Sequence, residues 1–179
     1  MAQSEESNTI LIKGCLAKNP KSQKALFDTF APTMYAICYR YAGNSDQAKD
    51  LLQDGFIKVY TKLGEFKFEG SFEGWLKRIF INNALEYIRK ETRIPDMVNV
   101  DDMYELKSDA TQYTGMDAKK ILEQIQKLPT GYRTVINLYI VEGYSHKEIA
   151  DMLGISESTS KSQLHKARQV LQKMINDTF

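Results

Sequence analysis

The residues best placed to do chemistry lie between Ser145 and Arg168. Ser145-His146-Lys147-Glu148 has the pattern of a capping box. In it the serine hydroxyl accepts from the glutamate amide, and the glutamate carboxylate reaches back to the serine amide. Ile149, Ala150 and Leu153 give that helix a buried face, and Gly154 supplies the left-handed turn that ends it. Ile155 fills the corner. Ser156 caps a second helix, with Glu157 at its positive end. Ala150, four residues before Gly154, lets the two helices cross closely through a short turn. The second helix directs Glu157, Ser158, Lys161, Ser162, His165, Lys166 and Arg168 outward, with Thr159 beside them. Leu164, Ala167, Leu171 and Met174 form the opposite face. The chemistry is recognition rather than turnover. Arg and Lys bond guanine edges or phosphates, and Ser and Thr bond either. The segment is expected to be a helix-turn-helix seating its second helix in a DNA major groove. The competing reading is a helical hairpin with a solvated basic face.

Other chemistry has no residues to carry it. There is no Gly-rich phosphate loop, metal-ligand cluster or nucleophile motif. Both histidines, His146 and His165, fall inside the helix-turn-helix. Cys15 and Cys38 sit among apolar residues, too few for a disulfide framework or a four-ligand zinc site. No catalytic residue, metal, cofactor or small-molecule substrate is therefore expected. The polar N-terminus has no signal-peptide pattern, and no apolar run approaches the ~18 residues of a membrane span. A cytoplasmic location is expected.

The elements that must position these residues are helical. Leu26, Phe30, Ile37 and Tyr41 recur at helical spacing. So do Ala48, Leu51, Leu52, Phe56, Val59 and Leu63, with a start at Asn44-Ser45 and a stop at Leu63-Gly64. After the aromatic loop Glu65–Gly70, a third helix begins near Ser71 and carries Trp75, Leu76, Ile79, Phe80 and Tyr87. Residues 94–117 lack periodicity and hold six acids against the single base Lys107, the pattern of a linker. Ile121, Ile125 and Leu128 begin the last section, and Val135, Ile136, Tyr139 and Ile140 form its second stripe, ending at Gly143. The expected fold is all-α: two small helical domains, 8–93 and 118–179, joined by an acidic linker, 94–117. The second is a four-helix helix-turn-helix domain. The division reinterprets the formal net charge of +1. Residues 1–93 carry 14 bases and 11 acids, and residues 118–179 carry 9 and 6. Two basic segments flank an acidic strap, so near-neutrality does not exclude nucleic acid.

Two segments together resemble a known family. One is Ala48-Lys49-Asp50-Leu51-Leu52-Gln53-Asp54-Gly55-Phe56-Ile57-Lys58-Val59-Tyr60, then Phe72-Glu73-Gly74-Trp75-Leu76, Ile79, Asn82 and Arg89. The other is Leu128-Pro129, Arg133, Tyr144–Ala150, Leu153–Ser156, Thr159, Lys161-Ser162 and Ala167-Arg168. In this order they are similar to the extracytoplasmic-function (ECF) subfamily of bacterial RNA polymerase sigma factors. The resemblance implies that Asp50, Gln53, Asp54 and Phe56 dock on the β′ clamp helices of core RNA polymerase, with the β flap as a further contact. It implies that Phe66, Lys67, Phe68, Ser71, Trp75, Arg78, Asn82 and Arg89 engage the −10 element as promoter DNA opens. It implies that Ser158, Thr159, Lys161, Ser162, His165, Lys166 and Arg168 read the −35 element, and that an anti-sigma factor is a partner.

The residues support these roles without compelling them. Asp50, Gln53 and Asp54 share one helix face, suited to pairing with arginines or to simple solvation. Aromatics beside cations suit single-stranded DNA, but Phe72 and Trp75 suit a core as well. Asn82 could contact DNA or satisfy a backbone group. His165 is either surface decoration or a base reader.

Three departures stand out. Ser160 replaces the usual Val on the buried side of the recognition helix, where an unpaired hydroxyl costs about 1 kcal/mol or more. Glu86 replaces Asp. Gly55 lies inside a helix, at about 1 kcal/mol relative to Ala unless close approach requires it. The alternative function is a stand-alone helix-turn-helix regulator.

Overall fold

A computed structural model describes the backbone of residues 2–92 and 118–176, and the side chains of 7–90 and 120–176. All regular structure in these residues is helical. The linker expected at 94–117 lies outside the described residues. The chain divides into two compact units, Met1–Ile88 and Arg89–Phe179.

The first unit contains α1 (Ala2–Leu16), α2 (Pro20–Tyr41), α3 (Ser45–Lys62), a 3₁₀ turn (Leu63–Glu65) and α4 (from Phe72 to Thr92). Helix α1 has no strong apolar stripe in the sequence, yet it buries Ile12 and Cys15. Asn19 caps α2, accepting from the amides of Lys21 and Ser22, with Pro20 at the first helical position. Asn44 caps α3 in the same way, accepting from Asp46 and Gln47. The core is formed by Leu26, Phe30, Met34, Ile37 and Tyr41 of α2, Ala48, Leu51, Phe56 and Val59 of α3, and Leu76, Phe80, Ala84 and Leu85 of α4. Cys38 is fully buried, and desolvation pushes its thiol up to about 12.

Helices α3 and α4 meet at Gly55. A Cβ built there would lie 2.1 Å from Cε1 of Phe80, so the missing side chain makes room for the Phe80 ring. One turn further along α4, Asn83 is buried and its Nδ2 donates to the Leu51 carbonyl at 3.1 Å. Glu86 pairs with Lys58, tying the same two helices nearer the surface. The Gly55 cost expected from sequence is thus offset by aromatic packing.

The second unit contains α5 (Ala118–Gln126), α6 (Thr130–Ile136), a π-helical turn (Asn137–Val141), α7 (His146–Leu153) and α8 (Glu157–Asn176). Arg133 is buried, and its Nη1 donates to the Gln126 carbonyl at 2.9 Å, closing the end of α5. Val135, Ile136 and Leu138 enter the core with Ile149, Leu153, Leu164 and Ala167. Ile140 does not follow the stripe expected of it, being 54% exposed. The π-helical turn explains this: the Glu142 amide donates to the Asn137 carbonyl five residues back, at 3.0 Å. The widened turn shifts the later residues off the 3.6-residue register. No helix among the described residues is long and apolar enough to cross a membrane.

Candidate nucleic-acid and docking surfaces

The helix-turn-helix forms through its local caps. The Ser145 amide donates to Glu148 Oε2 at 2.8 Å, and the Glu148 amide donates to Ser145 Oγ at 3.3 Å, so both halves of the capping box are made. Gly154 ends α7 in the left-handed conformation, with φ 68°. Ser156 then caps α8 by accepting from the Thr159 amide at 3.0 Å. Its hydroxyl also meets those of Ser158 at 2.8 Å and Thr159 at 2.7 Å.

The residues expected to read the −35 element divide by role. Lys161, Ser162, His165 and Arg168 lie exposed on successive turns of one α8 face. Ser158 is exposed too, whereas Thr159 and Lys166 are half-buried. Lys161 is held by Glu157 at 2.7 Å, and this ammonium keeps the Glu157 carboxyl below its ordinary range. Ser162 donates to the Thr159 carbonyl at 3.0 Å.

Ser160 is fully buried on the inner side of α8, but its hydroxyl is paired. His146, the first residue of α7, places Nδ1 2.9 Å from Ser160 Oγ. The other face of the imidazole lies against Tyr139 in the π-helical turn, with centroids 4.5 Å apart and planes 22° from parallel. Desolvation, then Lys161 and Arg168, hold the His146 imidazole below its ordinary pKa, with Glu157 opposing. The packing weakness expected at Ser160 is corrected: a hydrogen bond takes the place of apolar contact.

In the first unit, the loop before α4 gathers an aromatic cluster. Phe66 packs against Phe72 with centroids 5.1 Å apart and against Trp75 at 5.5 Å. Phe72 and Trp75 stack at 5.7 Å. Phe66 and Phe72 are buried at 9% and 5% exposure, so the expectation that Phe66 offers a free stacking surface is corrected. Its ring forms the floor of the loop. Phe68 lies on that floor, 5.1 Å from Phe66, and is 49% exposed. It also has φ 58°, a left-handed conformation costly for a bulky residue. Trp75 is half-buried, while Lys67, Ser71, Arg78, Asn82 and Arg89 are exposed; Arg89 lies in the last turn of α4, away from the cluster. The buried asparagine bonding a backbone group is Asn83, not Asn82, a distinction the sequence pattern did not make.

On α3, Asp50, Gln53 and Asp54 are exposed together. Phe56 is buried at 3% and packs against Phe27, Phe80 and Tyr60, with centroids 4.7, 5.2 and 6.2 Å away. Its expected place in the docking contact is corrected, because it supports the helix from beneath. Ile57, which sequence reasoning passed over, is 63% exposed and falls on the same face as Asp50, Gln53 and Asp54. Its only signal was that i, i+3, i+4, i+7 spacing.

Comparison with known proteins gives the two surfaces a context. A family model for sigma-70 region 2 matches residues 26–94, and one for sigma-70 region 4 matches residues 118–171. The chain is 31% identical over 167 residues to the ECF RNA polymerase sigma factor SigW of Bacillus subtilis, covering 85% of this chain and 88% of that one. It is 33% identical over 149 residues to the ECF RNA polymerase sigma factor SigE of Mycolicibacterium smegmatis, covering 79% of this chain and 56% of that one. Its fold is similar to the sigma factor RpoE of Bartonella quintana, solved in complex with the anti-sigma factor NepR. That match has a TM-score of 0.53 and 24% identity, covering 86% of this chain and 96% of that chain.

Proposed function

This chain belongs to the ECF RNA polymerase sigma factors, and from that premise we propose which of its surfaces meets which partner. Residues 8–93 bind core polymerase and the −10 element, residues 118–179 read the −35 element, and residues 94–117 connect them. Asp50, Gln53, Asp54 and Ile57 form the face that docks on the β′ clamp helices. Two acids, an amide and one apolar side chain on a rigid helix suit a basic partner surface with a small apolar contact.

The loop around Phe68, with Lys67, Ser71, Trp75, Arg78, Asn82 and Arg89, receives the −10 strand as it separates. An exposed aromatic on an aromatic floor, with Lys67 next to it in the chain, suits base stacking with a phosphate contact beside it. The α8 face of Lys161, Ser162, His165 and Arg168 enters the −35 major groove, with Ser158, Thr159 and Lys166 at its edge. The protein works without a catalytic site of its own, in the cytoplasm, with the β flap as a second polymerase contact and an anti-sigma factor as its restraint.

The observation that carries this reading is the joint match to region 2 and region 4 in one chain, in that order. A stand-alone regulator accounts for the helix-turn-helix but not for the region 2 match. The test is to add the protein to core polymerase lacking any sigma factor and assay transcription from a library of promoter fragments. Promoter-dependent transcripts are expected. Their absence with demonstrably active core overturns the reading.

A further inference from the structure

Ser160 is a hydroxyl with no exposed surface in the second turn of the recognition helix. Its partner comes from outside α8: Nδ1 of His146, 2.9 Å away at the start of α7. The same imidazole stacks on Tyr139 of the π-helical turn. Three consecutive elements thus meet at one ring. The contact is directional on both sides. A stack fixes the imidazole plane, and a hydrogen bond then fixes where Ser160 must lie. An apolar pair would tolerate small rotations of α8 that this pair does not.

We propose that His146 and Ser160 are positioning residues for upstream promoter recognition, setting the rotation of α8 in the major groove through their hydrogen bond. This rests on the function proposed above. Lys161 and Ser162 directly follow Ser160 in the chain, so the anchor and the base-reading face share one helical turn. A small rotation at Ser160 is carried straight into the positions of those side chains. Desolvation holds the imidazole below its ordinary pKa, which favours the neutral ring. Nδ1 and Ser160 Oγ lie 2.9 Å apart, so the ring tautomer decides which of the two donates. Lys161 and Arg168 of α8 act on the ring in the same direction, with Glu157 as the opposing acid.

The test uses holoenzyme made from core polymerase and the full chain, on a pool of duplex promoter fragments with a randomised upstream element. Ser160→Ala and His146→Phe are each expected to lower the preference for the parent's favoured upstream sequence by roughly tenfold, the scale of one hydrogen bond. The double variant is expected to lose no more than either single, and Ser160→Thr to keep the parent preference. Parent-like preference in both single variants, or additive losses in the double, overturns the positioning role while leaving the function standing. A parent chain with no promoter preference overturns both. Thermal melting of each variant separates a shift in preference from unfolding. The ¹⁵N shift of His146 Nδ1 in the free protein tests the bond independently. It should move in Ser160→Ala and stay in Ser160→Thr, and an unchanged shift in Ser160→Ala overturns the proposal.

Discussion

The ring of Phe80 occupies the space where a side chain on Gly55 would be, with Cε1 2.1 Å from the position of the absent Cβ. This contact sets how closely α4 lies against the helix that carries Asp50, Gln53 and Asp54. The face proposed to dock on polymerase therefore depends on a glycine facing inward on the same helix.

Gly55→Ala is expected to destabilise the protein by about 1–3 kcal/mol, because Phe80 is fully buried and has little room to move. Phe80→Leu removes the ring atoms that collide. The double variant should then be less destabilised than the sum of the two singles. Denaturant unfolding of the four proteins measures this, and strict additivity would show that the two residues are not coupled.

Asp50→Arg combined with Gln53→Ala should weaken core polymerase binding by about 2 kcal/mol or more while changing stability by no more than about 0.5 kcal/mol. Both side chains are exposed and neither supports the core. Ile57→Ser should weaken the same complex by about 1 kcal/mol through lost apolar contact. Titration of labelled protein into core polymerase reads both effects. Unchanged affinity would move the docking face elsewhere.

Phe66 and Phe68 should separate cleanly. Phe66→Ala empties a buried site and is expected to cost about 3–5 kcal/mol of stability. Phe68→Gly removes an exposed ring and relieves a left-handed residue, while glycine adds freedom to the unfolded chain. Its stability should stay within about 1 kcal/mol of the parent. Promoter opening, followed by permanganate reactivity of unpaired thymines, should nevertheless fall in Phe68→Gly. Normal opening in that variant would remove Phe68 from the melting platform.

His146 titrates below its ordinary value near 6.5, held down first by desolvation and then by Lys161 and Arg168. The unfolded chain therefore binds this proton before the folded one does. The contribution is fully present above about pH 6.5, and stability declines as pH falls from there toward the folded pKa. Melting of the full chain across this range should show the decline, and His146→Phe should reduce it. Identical pH slopes in parent and variant would mean that His146 is not linked to folding.

Local physics made much of this protein legible in its sequence. Apolar spacing marked α2, α3 and α4, and Asn44, Ser145 and Gly154 cap helices as their chemistry demands. The same spacing put Asp50, Gln53 and Asp54 on one face, because helix periodicity alone decides which residues share a side. Periodicity does not decide what lies opposite that side. Tertiary packing alone turned Phe66 inward and left Phe68 exposed, since each aromatic goes where a neighbouring helix leaves room, whereas Phe56 is buried with the apolar stripe its spacing marks. It also made Asn83 rather than Asn82 the backbone partner, and the π-helical turn carried Ile140 out of its stripe. The union of His146 with Ser160, fourteen residues apart, belongs to the same class. In the sequence Ser160 is a misplaced hydroxyl; only the crossing of α7 and α8 brings it the hydrogen-bond partner that a buried hydroxyl requires.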